Sequence, residues 1–132
     1  MLSIDKQSST PVYEQILEQF NRLILVGSLK PDEQIPSVRA LSLDLSVNPN
    51  TVQKAYNALE LTGITYSVPG VGRFVTKDAK KKIGGGFQGK LDCIYDASLW
   101  LALAEVERSL ITEKIEKAYS DAKRQNTGVD AQ

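Results

Sequence analysis

The sequence predicts a mainly α-helical chain with one small β-hairpin, divided into a compact N-terminal part and a helical C-terminal part. Three observations lead there. Apolar residues recur at three- and four-residue spacing over the N-terminal stretches, which open on proline or a capping residue. β-Branched and aromatic runs then flank Pro69-Gly70-Val71-Gly72, the pattern of two strands around a turn. Beyond a glycine-rich connector, Leu91 to Leu110 is apolar on more than one face, so it must be buried on more than one face.

Thr10 followed by Pro11 reads as the start of the first helix, because a threonine side chain can cap while proline lacks an N–H that would go unpaired. Tyr13, Ile16, Leu17, Phe20, Leu23 and Ile24 share its inner face, and Gly27 ends it. Leu29 to Ile35, broken by Pro31 and followed by Pro36, fits a connector or an edge strand. Ser37 caps a second helix through Val38, Leu41 and Leu45 that stops near Ser46. Asn48 as cap and Pro49 at the first helical position open a third, which turns Val52, Ala55, Tyr56 and Leu59 inward and closes at Gly63. Ile64 to Val68 and Arg73 to Lys77 are the strands of the hairpin, with Pro69 setting one turn dihedral and Gly70 supplying a positive φ. Helix, helix, tight turn, helix, hairpin is the order of a winged helix-turn-helix.

The rest of the chain reads more simply. Lys80 to Gly89, containing Gly84-Gly85-Gly86, has the composition of a flexible linker. Leu91 to Leu110 is expected as one apolar helix, and Thr112 as the cap of a last helix carrying Ile115, Ala118, Tyr119 and Ala122. From Gln125 the chain is polar and expected to fray. The expected boundaries are residues 1–77 for the winged domain, 78–90 for the linker, 91–125 for a helical dimerisation region and 126–132 for the tail.

Length and composition exclude several classes. The chain has 132 residues, enough for one small core with an appendage but not for a large enzyme domain as well. The opening Met1-Leu2-Ser3-Ile4-Asp5-Lys6 lacks the basic start and apolar run of a secretory signal, and no stretch has the roughly 20 apolar residues of a membrane span, so a cytoplasmic location is expected. Cys93 is the only cysteine and there is no histidine, which leaves no intrachain disulfide, zinc site or histidine-based triad; Cys93 itself reads as a small core residue. No metal site, cofactor or enzyme activity is expected, because paired carboxylates are lacking and Gly84-Gly85-Gly86 has no strand before it to make a phosphate loop. The formal net charge of zero counts against nucleic acid, although Lys77, Lys80, Lys81, Lys82 and Lys90 make the connector basic against Asp78 alone.

Function follows from dimensions. An α-helix about 10–12 Å across fits a major groove about 12 Å wide, and in this fold the third helix is the one that enters it. Its outer face carries Asn50, Thr51, Gln53, Lys54 and Asn57, which can donate to or accept from base edges. The helix start, with its dipole and backbone N–H groups, favours phosphate. Arg39 on the preceding helix can reach a guanine or the backbone, and Arg73 with Gly70 and Gly72 in the wing can grip the backbone.

Five segments together resemble a known family: Pro11-Val12-Tyr13-Glu14-Gln15-Ile16, Gly27-Ser28-Leu29-Lys30-Pro31, Ile35-Pro36-Ser37-Val38-Arg39-Ala40-Leu41, Val47-Asn48-Pro49-Asn50-Thr51-Val52 and Pro69-Gly70-Val71-Gly72-Arg73-Phe74-Val75. They look like the successive blocks of a GntR-family DNA-binding domain, and Asn-Pro-Asn-Thr-Val, Tyr56 and the short C-terminal part resemble the YtrA subfamily. The resemblance implies a DNA-binding transcription regulator, most often a repressor of its own operon, with double-stranded DNA contacted by Arg39, Asn48, Pro49, Asn50, Thr51, Gln53 and Lys54 and by Gly70 in the minor groove; Ser37 and Arg73 are expected contacts beside them. It implies no pyridoxal-phosphate site. Asp32 stands where the family usually has glycine, Ile35 where leucine is commoner, and Pro49 where many relatives carry arginine.

Leu91, Ile94, Leu99, Leu103 and Val106, assisted by Ile115 and Tyr119, are expected to bury against a second copy, and a two-fold dimer predicts a roughly palindromic operator. A small-molecule effector of unknown identity could sit near Tyr95, Trp100 or Tyr119. The rival reading is a winged-helix protein-interaction module with an idle recognition face, favoured only by the neutral charge.

Overall fold

The computed structural model describes residues 2–130, with side chains to Gln125. Its elements are α1 (Val12–Leu25), β1 (Gln34–Ile35), α2 (Val38–Leu45), α3 (Pro49–Leu61), β2 (Thr65–Val68), β3 (Gly72–Val75), α4 (Ala79–Gly84), α5 (Phe87–Leu103) and α6 (Arg108–Asp130). They form two units, one ending at Ile83 and one starting at Gly84.

In the first unit, α3 is the hub. It packs on α1, α2 and β2, and its inner residues Val52, Ala55, Tyr56 and Leu59 are fully buried beside Ile16 and Phe20 of α1. The Tyr56 ring meets Phe20 edge-on at 5.7 Å, and its hydroxyl donates to the Pro36 carbonyl at 2.7 Å, tying α3 to the approach of α2. Burial pushes the Tyr56 hydroxyl pKa well above the ordinary tyrosine value, and nearby Arg73 offsets this only in part. Because the folded value is the raised one, the contribution of neutral Tyr56 is intact below the unfolded pKa of about 10 and is lost as pH rises past it. Tyr56→Phe is expected to cost about 1 kcal/mol at neutral pH, the net worth of one buried hydrogen bond, and to flatten alkaline unfolding; urea melts at pH 7 and pH 11 test both effects.

The helix ends follow the capping residues. Ser37 Oγ accepts from Ala40 N at 3.0 Å, Asn48 Oδ1 accepts from Asn50 N at 2.8 Å, and Pro49 takes the first helical position of α3. At the other end, Gly63 N bonds Glu60 O and Ile64 N bonds Leu59 O, a two-bond closure that needs the positive φ of Gly63. The start of α1 differs from expectation: Pro11 is the cap residue and Thr10 makes no capping bond. Instead the Gln15 and Gln19 side chains bond the backbone of Asp5 and Ser3, holding the N-terminal segment so that Leu2 joins the core.

The hairpin is part of a three-stranded antiparallel sheet in the order β1-β3-β2, since Gln34 and Ile35 pair with Phe74 and Arg73. Leu29 to Ile35 thus includes the edge strand that was one of its two readings. Asp32 has a φ of 64°, a left-handed conformation that aspartate tolerates, and its carboxylate accepts from the Tyr66 hydroxyl at 3.0 Å.

Residues 78–90, expected as a linker, are helical over most of their length. Ala79 is buried and Ile83 packs on the core one turn later, so α4 belongs to the winged unit, and only Gly85 and Gly86 separate it from α5. The expected single helix from Leu91 to Leu110 is broken at Ala104 to Glu107. There Glu105 takes a φ of 62°, with Glu105 N on Ala102 O and Val106 N on Leu101 O, the closure that usually signals itself by glycine. Thr112 lies inside α6, its hydroxyl bonded to Arg108 O, and is no cap. The α6 backbone continues through Asp130, past the expected start of a frayed tail, while residues 131–132 lie outside the described residues. Cys93 is exposed on α5 rather than in a core.

Candidate nucleic-acid interface

The expected contact residues divide by position. Arg39 on α2 and Asn48, Pro49, Asn50 and Lys54 along α3 are exposed, and Thr51 and Gln53 are half-buried on the same helix. No acidic residue lies between Ser46 and Leu59, so this stretch presents amides, hydroxyls and Lys54 with nothing to repel phosphate. The zero net charge of the chain conceals an asymmetry: residues 1–83 hold ten Lys and Arg against eight Asp and Glu, a net of +2, and residues 84–132 hold six against eight, a net of −2.

Several of these side chains are already held in place. Gln53 Nε2 donates to Asn57 Oδ1 at 2.8 Å, one turn along the outer face. The Lys54 ammonium sits 4.0 Å from the centroid of the Tyr13 ring on α1, which positions its charge at the edge of the recognition surface. Asn48 and Ser37 spend their side-chain oxygens on capping. The start of α3 is also more self-satisfied than a bare helix end: Pro49 has no N–H, Asn50 N is taken by Asn48 Oδ1, and Thr51 N bonds Asn48 O. Attraction of phosphate there rests on the dipole more than on free donors.

At the wing tip Val71 N bonds Val68 O at 3.0 Å, closing a turn with Pro69 and Gly70 at its centre. Gly70 has a φ of 75°, and a Cβ there would meet nothing within 4 Å. The backbone at this point is bare and able to approach a narrow groove.

Arg73 is the one expected contact residue that faces elsewhere. Its guanidinium lies over the Tyr56 ring, bonds Tyr56 O at 3.3 Å and stands 3.6 Å from Glu60, whose other carboxylate oxygen accepts from Ser67 on β2. Ser67 and Arg73 are register partners, so one α3 carboxylate holds both strands of the wing. Sequence reasoning missed Glu60 because an acidic residue at the end of a DNA-reading helix suggests solvent, not a brace. Arg73→Ala is expected to loosen the wing, raising amide exchange at residues 65–75, without lowering the salt dependence of DNA binding; a phosphate contact would reduce that slope by about one unit per charge.

In the second unit, none of the described residues is buried, and α5 and α6 do not pack along one another. Leu91, Ile94, Leu99, Leu103, Ile115 and Tyr119 are all exposed, Leu103 to 77 % and Tyr119 to 71 %, and Val106 is half-buried in the turn rather than on a helix. No helix among the described residues is long and apolar enough to cross a membrane, and no three metal-ligating side chains cluster among them.

Known proteins match this arrangement. Residues 12–75 fit the family described as "Bacterial regulatory proteins, gntR family". The HTH-type transcriptional repressor YtrA of Bacillus subtilis is 39% identical over 127 residues, covering 93% of this chain and 95% of that protein. A solved structure, YtrA from Sulfolobus acidocaldarius, a GntR-family transcription factor, is 36% identical with a TM-score of 0.59, over 73% of this chain and 94% of that one. The AraR DNA-binding domain solved in complex with operator ORX1 is 30% identical with a TM-score of 0.53, over 58% of this chain and 96% of that one. With the hub helix, the wing and the short helical second unit in the order that the sequence implied, and with one relative similar over nearly its whole length, the chain belongs to the GntR family of bacterial regulatory proteins.

Proposed function

We propose that this chain is a sequence-specific DNA-binding transcriptional repressor that works in the cytoplasm as a homodimer on a roughly palindromic operator. The observation that carries the reading is the outer face of α3. Asn50, Gln53, Lys54 and Asn57 form a polar stripe free of acids, on a helix whose opposite face is locked into the core by Val52, Ala55, Tyr56 and Leu59. A rigid helix with hydrogen-bonding amides outward is what major-groove reading requires. Arg39 and the Gly70 tip extend the contact on either side, and Arg73 serves as a strut between wing and helix.

The homodimer is supported by the apolar surface of α5 and α6, and the exposed Tyr95, Trp100 and Tyr119 rings are assigned to that interface rather than to an effector site. The relatives named as repressors favour repression over activation. The test is selection of bound duplexes from a random pool by the full chain. An inverted repeat supports the reading; no enrichment, or binding indifferent to salt, would return the winged unit to a protein-interaction role.

A further inference from the structure

Beside the start of α3 lies a cleft, about 480 Å³, lined by Val38, Arg39, Ser42, Leu43, Val47 and Pro49. Leu43 is 73 % exposed and leaves apolar surface uncovered beside the start of α3. The Ser42 hydroxyl is turned inward to the Val38 carbonyl at 2.6 Å, so Arg39 is the lining side chain that can offer hydrogen bonds outward. The cleft is therefore carbon on most sides with one guanidinium at its edge, next to the helix end that enters the groove.

We propose that Pro49 reads thymine through its 5-methyl group, with Leu43 and Val47 completing the apolar contact and Arg39 engaging the adjoining nucleotide. This rests on the DNA-binding reading above and specifies what α3 recognises. The argument is one of chemical complementarity. Pro49 occupies the first turn of α3, is exposed, and offers only ring carbons, having neither a side-chain donor nor an N–H. Among base edges in the major groove the thymine methyl is the largest apolar feature; the cytosine C5–H is smaller, and the remaining groups are donors or acceptors that an apolar ring would desolvate without replacement. A residue of this chemistry discriminates for thymine and against bases whose polar edge it would cover.

The experiment uses the full chain and the operator recovered from the random pool. Each thymine is replaced in turn by deoxyuridine, which removes the methyl alone, and affinities are compared for the wild type and Pro49→Ser, a change tolerated at a helix start and checked by thermal melting. At one or two thymines per half-site the wild type is expected to lose about fourfold in affinity, the worth of one buried methyl, and P49S, which keeps only Leu43 and Val47 near the methyl, to lose clearly less. At the same positions 5-methylcytosine should bind the wild type better than cytosine, a comparison that stands even if P49S fails to fold. An operator whose thymines are all insensitive to the methyl, or equally sensitive in P49S, overturns this proposal alone; a pool with no enriched sequence overturns the DNA-binding reading and the proposal together.

Discussion

Replacing Asn50 and Gln53 together with alanine is expected to lower operator affinity by at least about thirtyfold while leaving binding to unrelated DNA nearly unchanged, since each well-placed amide–base pair is worth about 1–3 kcal/mol of discrimination. Both side chains point away from the core, so the fold should survive, with thermal melting as the control. The Gln53–Asn57 bond adds a condition. One N–H of Gln53 Nε2 is taken by Asn57, which leaves Gln53 Oε1 as an acceptor and the second Nε2 hydrogen with Asn57 Nδ2 as donors for the bases. Asn57→Ala should then cost more than the loss of a lone surface amide, and the effects of Gln53→Ala and Asn57→Ala should fall short of additive in a double-mutant cycle. Lys54→Ala is a contrast: its ammonium is a point charge beside Tyr13, so specific and non-specific binding should weaken alike, with the salt slope falling by about one. Fluorescence anisotropy on operator and scrambled duplexes at several salt concentrations separates these outcomes. An unchanged ratio of specific to non-specific affinity in the Asn50 and Gln53 variant would remove α3 as the reading element.

Legibility in the sequence tracked the strength of local signals. The Ser37 and Asn48 caps, Pro49 at the first turn, Gly63 beyond α3 and Gly70 in the wing are residues whose types are dictated by backbone geometry, and each sits where that geometry places it. The inner face of α3 was equally readable, because a period of three and four over one buried side leaves no other arrangement. What escaped had no such mark. The turn between α5 and α6 puts Glu105 in a conformation that glycine usually announces, so no glycine or proline in Ala104 to Glu107 marked the break. In α4, three lysines and the following glycines hid the Ala79 and Ile83 pair that anchors it to the core.

The site was legible by face but not by partner. Pattern alone could put Arg73 in the wing, yet whether its guanidinium points to solvent or inward depends on Tyr56 and Glu60, 17 and 13 positions earlier in sequence and brought near only by the packing of α3 on the sheet. The same holds for Lys54 and Tyr13, and for the Gln15 and Gln19 amides that recruit Leu2. Long-range pairs of polar side chains carry no periodicity, and they decided which charged residues are available to a ligand.

Leu99→Asp is expected to convert the protein to a monomer and to cost about 10²- to 10⁴-fold in affinity for a two-half-site operator, with affinity for a single half-site unchanged, because a dimer makes the second half-site contact intramolecular. Leu99 is exposed in the isolated chain, so a charge there disturbs no intrachain core, and the winged unit, whose buried residues all lie between Leu2 and Ala79, should melt as before. The large effect is expected from the amount of apolar surface that α5 and α6 leave uncovered: Phe87, Leu91, Ile94, Tyr95, Leu99, Trp100 and Leu103 on one helix alone. Two helices that do not pack along one another have to bury their apolar faces elsewhere, since most of a helix's stability in a protein comes from packing rather than from propensity. Burial against a second copy, which would present the same apolar faces in a self-complementary form, is the expected source of their stability. Sedimentation at micromolar concentration reads the first effect and titration of full and half operators the second. A wild-type monomer, or an L99D dimer with intact operator affinity, would return α5 and α6 to some other covering surface and leave the winged unit reading single half-sites.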